Sequence, residues 1–224
     1  ACEEARLVLE ADGDCTQAVV KAIKVLEDSE FTNAGYGSNL NIDGAVECDA
    51  SVMEGSTGSF GAVGAVSQIR NPIDAAYALH QQERRRVFPS GRIPPLFLVG
   101  SGAEKWVSTQ GVSLLSSSQS LIAPCAQAKY QHYHRFAQAM DSNNEVTVDT
   151  AQSPSRAIPF DELNDTVGAV CQDYQGNTAA GVSSGGVLLK FPGRVGEAAM
   201  FGAGCWAEQG NREHDSTSSA CSVT

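Results

Sequence analysis

The chain has 224 residues, 42% of them hydrophobic, which suffices for one large α/β domain or two smaller ones. Its formal net charge is −11. That balance argues against a nucleic-acid backbone as the main partner, because phosphate binding is driven by Lys and Arg, and leaves room for a protein substrate with basic flanks.

From Thr166 onward there are five acids against three bases, so the acidity belongs mostly to residues 1–165. The seven cysteines are odd in number and never spaced C-x-x-C. This disfavours a disulfide framework or a zinc site and fits a reducing compartment. No apolar run reaches membrane-spanning length, and no signal-peptide pattern is visible.

In chain order, Ala1 to about Glu10 reads as a helix ending near Asp12-Gly13. A second helix opens at Asp14, with Gln17 three residues on as in a capping box. Val19, Ala22, Ile23 and Leu26 then share one face at helical spacing. The segment Phe31 to Ser38 is small, polar and glycine-bearing, and reads as a tight loop. Leu40 to Ile42 and Ala45 to Cys48 flank Asp43-Gly44, a hairpin signal in which both central residues need positive φ. Asp49 to Met53 continues that strand, and Phe60 to Ile69 forms another, buried in a sheet. Asn71-Pro72 opens a helix to about Gln82, with proline where a first-turn proline is tolerated.

Glu83 to Arg86 reads either as a docking patch or as a solvated helix end, and the mixed charge favours the second. Leu96 to Val99 is a short strand leading into a helix around Trp106. Gly100-Ser101-Gly102 lacks the third glycine of a dinucleotide fingerprint, because position 105 is Lys, so nucleotide binding is not expected. Residues from about 111 to 165 read as a mobile linker, with a helix over 125–139 inside it. His132 and His134 belong to this stretch. No Cys or acidic cluster accompanies them, so they read as loop residues rather than metal ligands.

The chemistry is concentrated at Asp165-Thr166-Val167-Gly168-Ala169-Val170. Thr166 opens a strand-like run, and Thr178 to Ser183 returns and ends at Ser184, Gly185 and Gly186. A threonine hydroxyl needs a base beside it. An N-terminal threonine carries its own, since an α-amine titrates at about 7.7–8.0, near neutrality. Cleavage of the Asp165–Thr166 bond would place nucleophile and base on one residue. The alternative is an ordinary strand-initial threonine.

Several stretches together resemble a known family. Asn33-Ala34-Gly35, Gly44 to Ser51, Phe60 to Val66, Asp165 to Val170 and Pro192-Gly193-Arg194-Val195-Gly196 resemble the plant-type asparaginases, which are N-terminal-nucleophile hydrolases. Within that group, Phe31 to Gly35, Ser90 to Pro95 and Gly204 to Glu208 resemble the threonine aspartases, or taspase proteases. The resemblance covers nearly all of residues 1–110 and 160–224. It implies an α/β fold of the four-layer αββα sandwich type, with self-cleavage into an α subunit (1–165) and a β subunit beginning at Thr166. The two would stay associated as one domain, and a homodimer of such heterodimers is compatible with it.

The resemblance also assigns roles. Thr166 would be the nucleophile and Ser184 a hydroxyl touching it. Asn33 would sit on the facing loop, and Arg194 would hold the substrate carboxylate, a task suited to a planar bidentate donor. No cofactor or metal is implied, nor a nucleic-acid or membrane partner. The implied substrates are proteins cut after an internal aspartate, among them nuclear regulators such as a histone methyltransferase and a general transcription factor. The implied setting is intracellular, nucleus or cytoplasm.

Two departures bear on this. Asparaginases carry aspartate after Arg-Val-Gly, where it binds the substrate's free amino group; here the residue is Glu197. A protease cutting within a chain meets no such ammonium. Thr224 matches the threonine of a Thr-Gly-x-Gly-Glu-type segment that contacts substrate, and the glycine that helps form the oxyanion hole would lie beyond it. The family's first strand would lie before Ala1. The expectation is therefore a piece trimmed at both ends, and loss of one oxyanion donor is worth roughly 100- to 1000-fold in rate. Two rivals stand beside the endopeptidase: an asparaginase or isoaspartyl peptidase of the same fold, and a non-enzymatic binding protein that keeps the chain intact.

Overall fold

The structure is a computed structural model that describes residues 1–85, 91–142, 165–209 and 220–223. Helix α1 spans Cys2–Glu10 and α2 spans Cys15–Glu27. The capping box at the start of α2 is formed as expected: Gln17 N–H donates to Asp14 Oδ1 at 2.7 Å, and the Gln17 side chain accepts from Asp14 N–H. Val19, Ala22 and Ile23 are buried on the predicted face, and Leu26 packs against the same core.

Strands β1 (Cys48–Glu54), β2 (Phe60–Val66), β3 (Phe97–Val99), β4 (Val167–Gln172) and β5 (Thr178–Ser184) form one mixed sheet in the order β3-β2-β1-β5-β4. Only β2 and β3 run parallel. Helix α3 (Pro72–Arg85) is their crossover, because parallel neighbours cannot be joined by a tight turn. Helix α4 (Gly100–Ser108) follows β3 and α5 (Pro124–Ser142) comes later. A second, two-stranded sheet pairs β6 (Cys205–Glu208) with β7 (Ala220–Val223).

Side-chain alternation along the strands sorts the core into two sides. Cys48, Ala50, Val52 and Val63 face helices α2 and α3, together with Val19, Ile23, Ile73 and Leu79. Met53, Phe60, Ala62, Ala180 and Val182 face Cys205 and Ala207 of the small sheet. The described residues therefore stack as helix, sheet, sheet.

Local details differ from the sequence reading. Leu40 and Val46 make a single bridge rather than a ladder. Of the two turn residues only Gly44 has positive φ. The Asn41 side chain does the work expected of a second left-handed residue, accepting from Asp43 N–H and Ala45 N–H. His132 and His134 lie on α5 rather than on a loop. Helix α5 and the short 3-10 helix Ser118–Leu121 occupy much of the stretch read as a linker, while residues 143–164 lie outside the described part.

Candidate active site

Thr166 stands at the start of β4, half-buried, one residue before the ladder with β5 begins at Val167↔Ser183. That register brings Ser184 alongside it, and the two hydroxyl oxygens are 2.8 Å apart. Ser184 Oγ also accepts from Gly186 N–H at 3.0 Å, which fixes its rotamer. The chain is continuous through Asp165–Thr166. Thr166 N–H donates to the Asp165 carboxylate at 2.8 Å. The Asp165 carbonyl, which belongs to the bond expected to break, accepts from Asn33 N–H at 2.9 Å. A backbone donor aimed at that oxygen is what a developing oxyanion requires.

Asn33 occupies this position because its loop is tied to the β5 exit at several points. Its side chain accepts from Asn39 N–H and donates to Gly186 O, both at 2.9 Å, and Gly185 N–H donates to Asn33 O at 2.7 Å. A Cβ on Gly185 would come within 2.6 Å of Asn33 Oδ1, so only glycine permits this approach. The contribution of Asn33 to the surroundings of Thr166 is thus its main-chain N–H; its side chain is structural.

Arg194 is exposed and has no side-chain hydrogen bond or ion pair among the described residues. It follows the Pro192-Gly193 turn, in which Arg194 N–H donates to Phe191 O at 3.0 Å and Gly193 has φ +79°. Glu197 opens a 3-10 turn just after it. Thr166, Ser184, Asn33, Asp165, Arg194 and Glu197 line one cavity of about 520 Å³. Thr224 lies outside the described residues.

Asn39 and Lys129 also line this cavity and were not anticipated. Lys129 comes from α5, inside the stretch read as a linker, so its proximity had no sequence signal. Beneath the site, on the helix side of the sheet, Glu27 is fully buried beside Ser183. Burial pushes its carboxyl up to about 8, against the pull of the Ser183 hydroxyl and of Ile73 N–H, which donates to Oε1 at 2.9 Å. The acid is therefore mostly protonated at neutral pH. Neighbouring serines of β5 thus face opposite surroundings.

A family model described as Asparaginase matches residues 1–213. The chain belongs to this family. Its members are hydrolases with an N-terminal threonine nucleophile. The chain is 35% identical over 207 residues to an isoaspartyl peptidase of Salmonella typhimurium, covering 92% of the chain and 59% of that protein. It is 36% identical over 198 residues to a plant-type L-asparaginase of Pyrobaculum calidifontis, covering 88% of the chain and 58% of that protein. A Mus musculus isoaspartyl peptidase/L-asparaginase is 34% identical over 208 residues, covering 93% and 56%. The chain thus spans less than two thirds of the length of these relatives.

Proposed function

We propose that this chain is the nucleophile-bearing part of a self-processing threonine hydrolase that cleaves an amide bond beside an aspartyl group. The observation that carries the reading is the constellation at the 165–166 bond: Thr166 Oγ at 2.8 Å from Ser184 Oγ, with the preceding carbonyl already bonded to Asn33 N–H. In processing, Thr166 Oγ attacks the Asp165 carbonyl carbon, and Asn33 N–H holds the oxyanion. The hydroxyl proton passes to the leaving nitrogen as the C–N bond breaks, giving an ester on Thr166 Oγ and a free Thr166 amine. Water hydrolyses the ester and releases the Asp165 carboxylate. The amine then serves as base for the same hydroxyl in turnover. Arg194 holds the substrate carboxylate, and a second helical layer in the complete protein makes up the four-layer sandwich.

The relatives' names support substrates of the isoaspartyl and asparagine kind, where Glu197 would meet the free amino group. That is the first reading. Glu197 also carries the second, a threonine endopeptidase of the taspase kind cutting intracellular proteins after aspartate. Its longer arm stands where the asparaginases carry aspartate, and the taspase-like stretches, Phe31 to Gly35 and Gly204 to Glu208, agree with it.

Full-length protein assayed on free asparagine, a β-aspartyl dipeptide and a peptide with one internal aspartate separates the two. Hydrolysis of the small amides alone supports the first reading. Cleavage of the peptide after aspartate, with the small amides untouched, supports the second. A folded full-length protein that stays intact at Thr166 and cleaves nothing would overturn both and leave a binding protein.

A further inference from the structure

Arg194 carries the substrate reading, yet its own side chain is held by nothing in the described structure. What fixes it must act on its backbone. Two residues beneath it do so, Glu47 just before β1 and Asp49 within it. Glu47 and Asp49 are two apart and so lie on one face of the chain. The Glu47 carboxylate accepts from Gly193 N–H at 3.0 and 3.2 Å, and Asp49 Oδ2 accepts from Gly196 N–H at 2.7 Å. Arg194 lies between these two tethers.

Asp49 is the deeper of the pair. It is fully buried and sits at an irregularity in the β1–β2 register between Cys48 and Ala50. Its other oxygen accepts from Ala65 N–H at 2.8 Å. Ala65 has φ +50°, an unfavourable conformation for a residue with a Cβ that needs its surroundings to hold it. One carboxylate thus joins β1, a strained residue of β2 and the Arg194 loop. Val195 packs over Gly64 beside it; a Cβ on Gly64 would lie 2.9 Å from Val195 Cγ2. Across the ladder with β5, Asp49 is paired with Ser184, the residue that touches Thr166. Asp49 is therefore placed by its backbone beside the Thr166 site and by its side chain beneath the Arg194 loop.

We propose that Asp49 is a positioning residue: through Gly196 N–H it sets the distance between Arg194 and Thr166, and so the affinity for substrates that carry an aspartyl carboxylate. This rests on the reading of Arg194 given above. A carboxylate suits the task because it accepts two backbone N–H bonds at once. Asn keeps the shape but has one acceptor oxygen and turns an NH₂ toward the second N–H.

The test uses the full-length protein. Asp49→Asn is expected to self-process and to keep kcat within about threefold, while KM for the aspartyl probe that wild type hydrolyses rises about tenfold, the size of one lost charge-assisted hydrogen bond. The probes are the β-aspartyl dipeptide and the internal-aspartate peptide. In an Arg194→Ala background the same change should add little to KM, because Asp49 acts through Arg194. Amide exchange in the 191–197 segment should quicken while the rest of the sheet is unaffected. An unchanged KM, or an equal rise when Arg194 is already alanine, would make Asp49 merely structural and overturn the proposal. If Asp49→Asn does not accumulate folded, wild-type exchange decides: Gly196 N–H protected like the sheet interior supports the tether, and exchange at the rate of an unfolded peptide overturns it. A wild type that hydrolyses neither probe removes the reading of Arg194, and this proposal with it.

Discussion

Thr166, the proposed nucleophile, and Arg194, the proposed carboxylate-binding arm, line the same cavity but are built differently. Around Thr166 the contacts are short: Ser184 Oγ beside its hydroxyl, the Asp165 carboxylate on its N–H and Asn33 N–H on the preceding carbonyl, with Gly185 N–H and Gly186 N–H fixing Asn33 and Ser184 in turn. Arg194 is an exposed side chain on an exposed turn, tethered from below by two carboxylates. Bond breaking depends on placing atoms to a fraction of an ångström, and misplacement there is severe. Holding a charged group on a flexible substrate tolerates a long side chain, provided its base is fixed. Damage to the first region should therefore appear in processing and kcat, and damage to the second in KM.

The largest effect expected is from Thr166→Ala in the full-length protein. It should remain one chain and be inactive on all probes, because neither hydroxyl nor released amine exists. Intact mass measurement checks this, and normal processing would break the comparison at its root. Ser184→Ala removes the hydroxyl touching the nucleophile but keeps Asn33 N–H on the carbonyl. Processing should slow by about 100-fold, the lower end of what a positioned catalytic group supplies. A time course of chain cleavage on a denaturing gel would show it.

Arg194→Ala should process at close to the wild-type rate, since the internal bond is already held by the fold. KM on aspartyl probes should rise by about 10- to 150-fold, the range for a hydrogen bond to a charged group. A slowing of self-cleavage equal to the loss on substrate would place Arg194 in the bond-breaking region instead.

The smallest effect on catalysis is expected at Glu27, which bears on stability alone. Folded Glu27 keeps its proton up to about 8, whereas an ordinary glutamate releases it near 4.5. Between those values the folded state binds more protons, so this group's contribution to stability is full below about 4.5 and is lost as pH rises through about 8. Glu27→Gln, which still accepts from Ile73 N–H, should flatten that slope, changing the difference in melting temperature from wild type by roughly 10 °C between pH 5 and pH 8. Its KM should not move. A parallel slope in both proteins would mean that Glu27 is not the group responsible.

Much of this was legible in the residues. The Asp14–Gln17 cap and the apolar face of α2 depend on neighbours in sequence, and local chemistry decides them. Thr166, Ser184 and Arg194 could be singled out because motif and spacing coincide. What could not be read depends on strand register and on distant elements. Lys129 reaches the cavity only because α5 folds back over the Asn33 loop. Asp49 looks like one polar residue in a buried strand until the register sets it opposite Ser184 and beneath Gly196. The Asp43-Gly44 signal pointed to a two-residue hairpin turn, and the Asn41 side chain supplied a different solution. Asn33 was expected to face the proposed nucleophile, and the group that touches the Asp165 carbonyl is its N–H, which no side-chain pattern can reveal.

The central claim is that the 165–166 bond breaks by the action of its own threonine. The most direct test is to purify full-length protein, separate its fragments under denaturing conditions and sequence the amino terminus of the fragment that contains Arg194. The account predicts a free Thr166 followed by Val167, Gly168, Ala169 and Val170. A single intact chain, or a fragment beginning at any other residue, would contradict it.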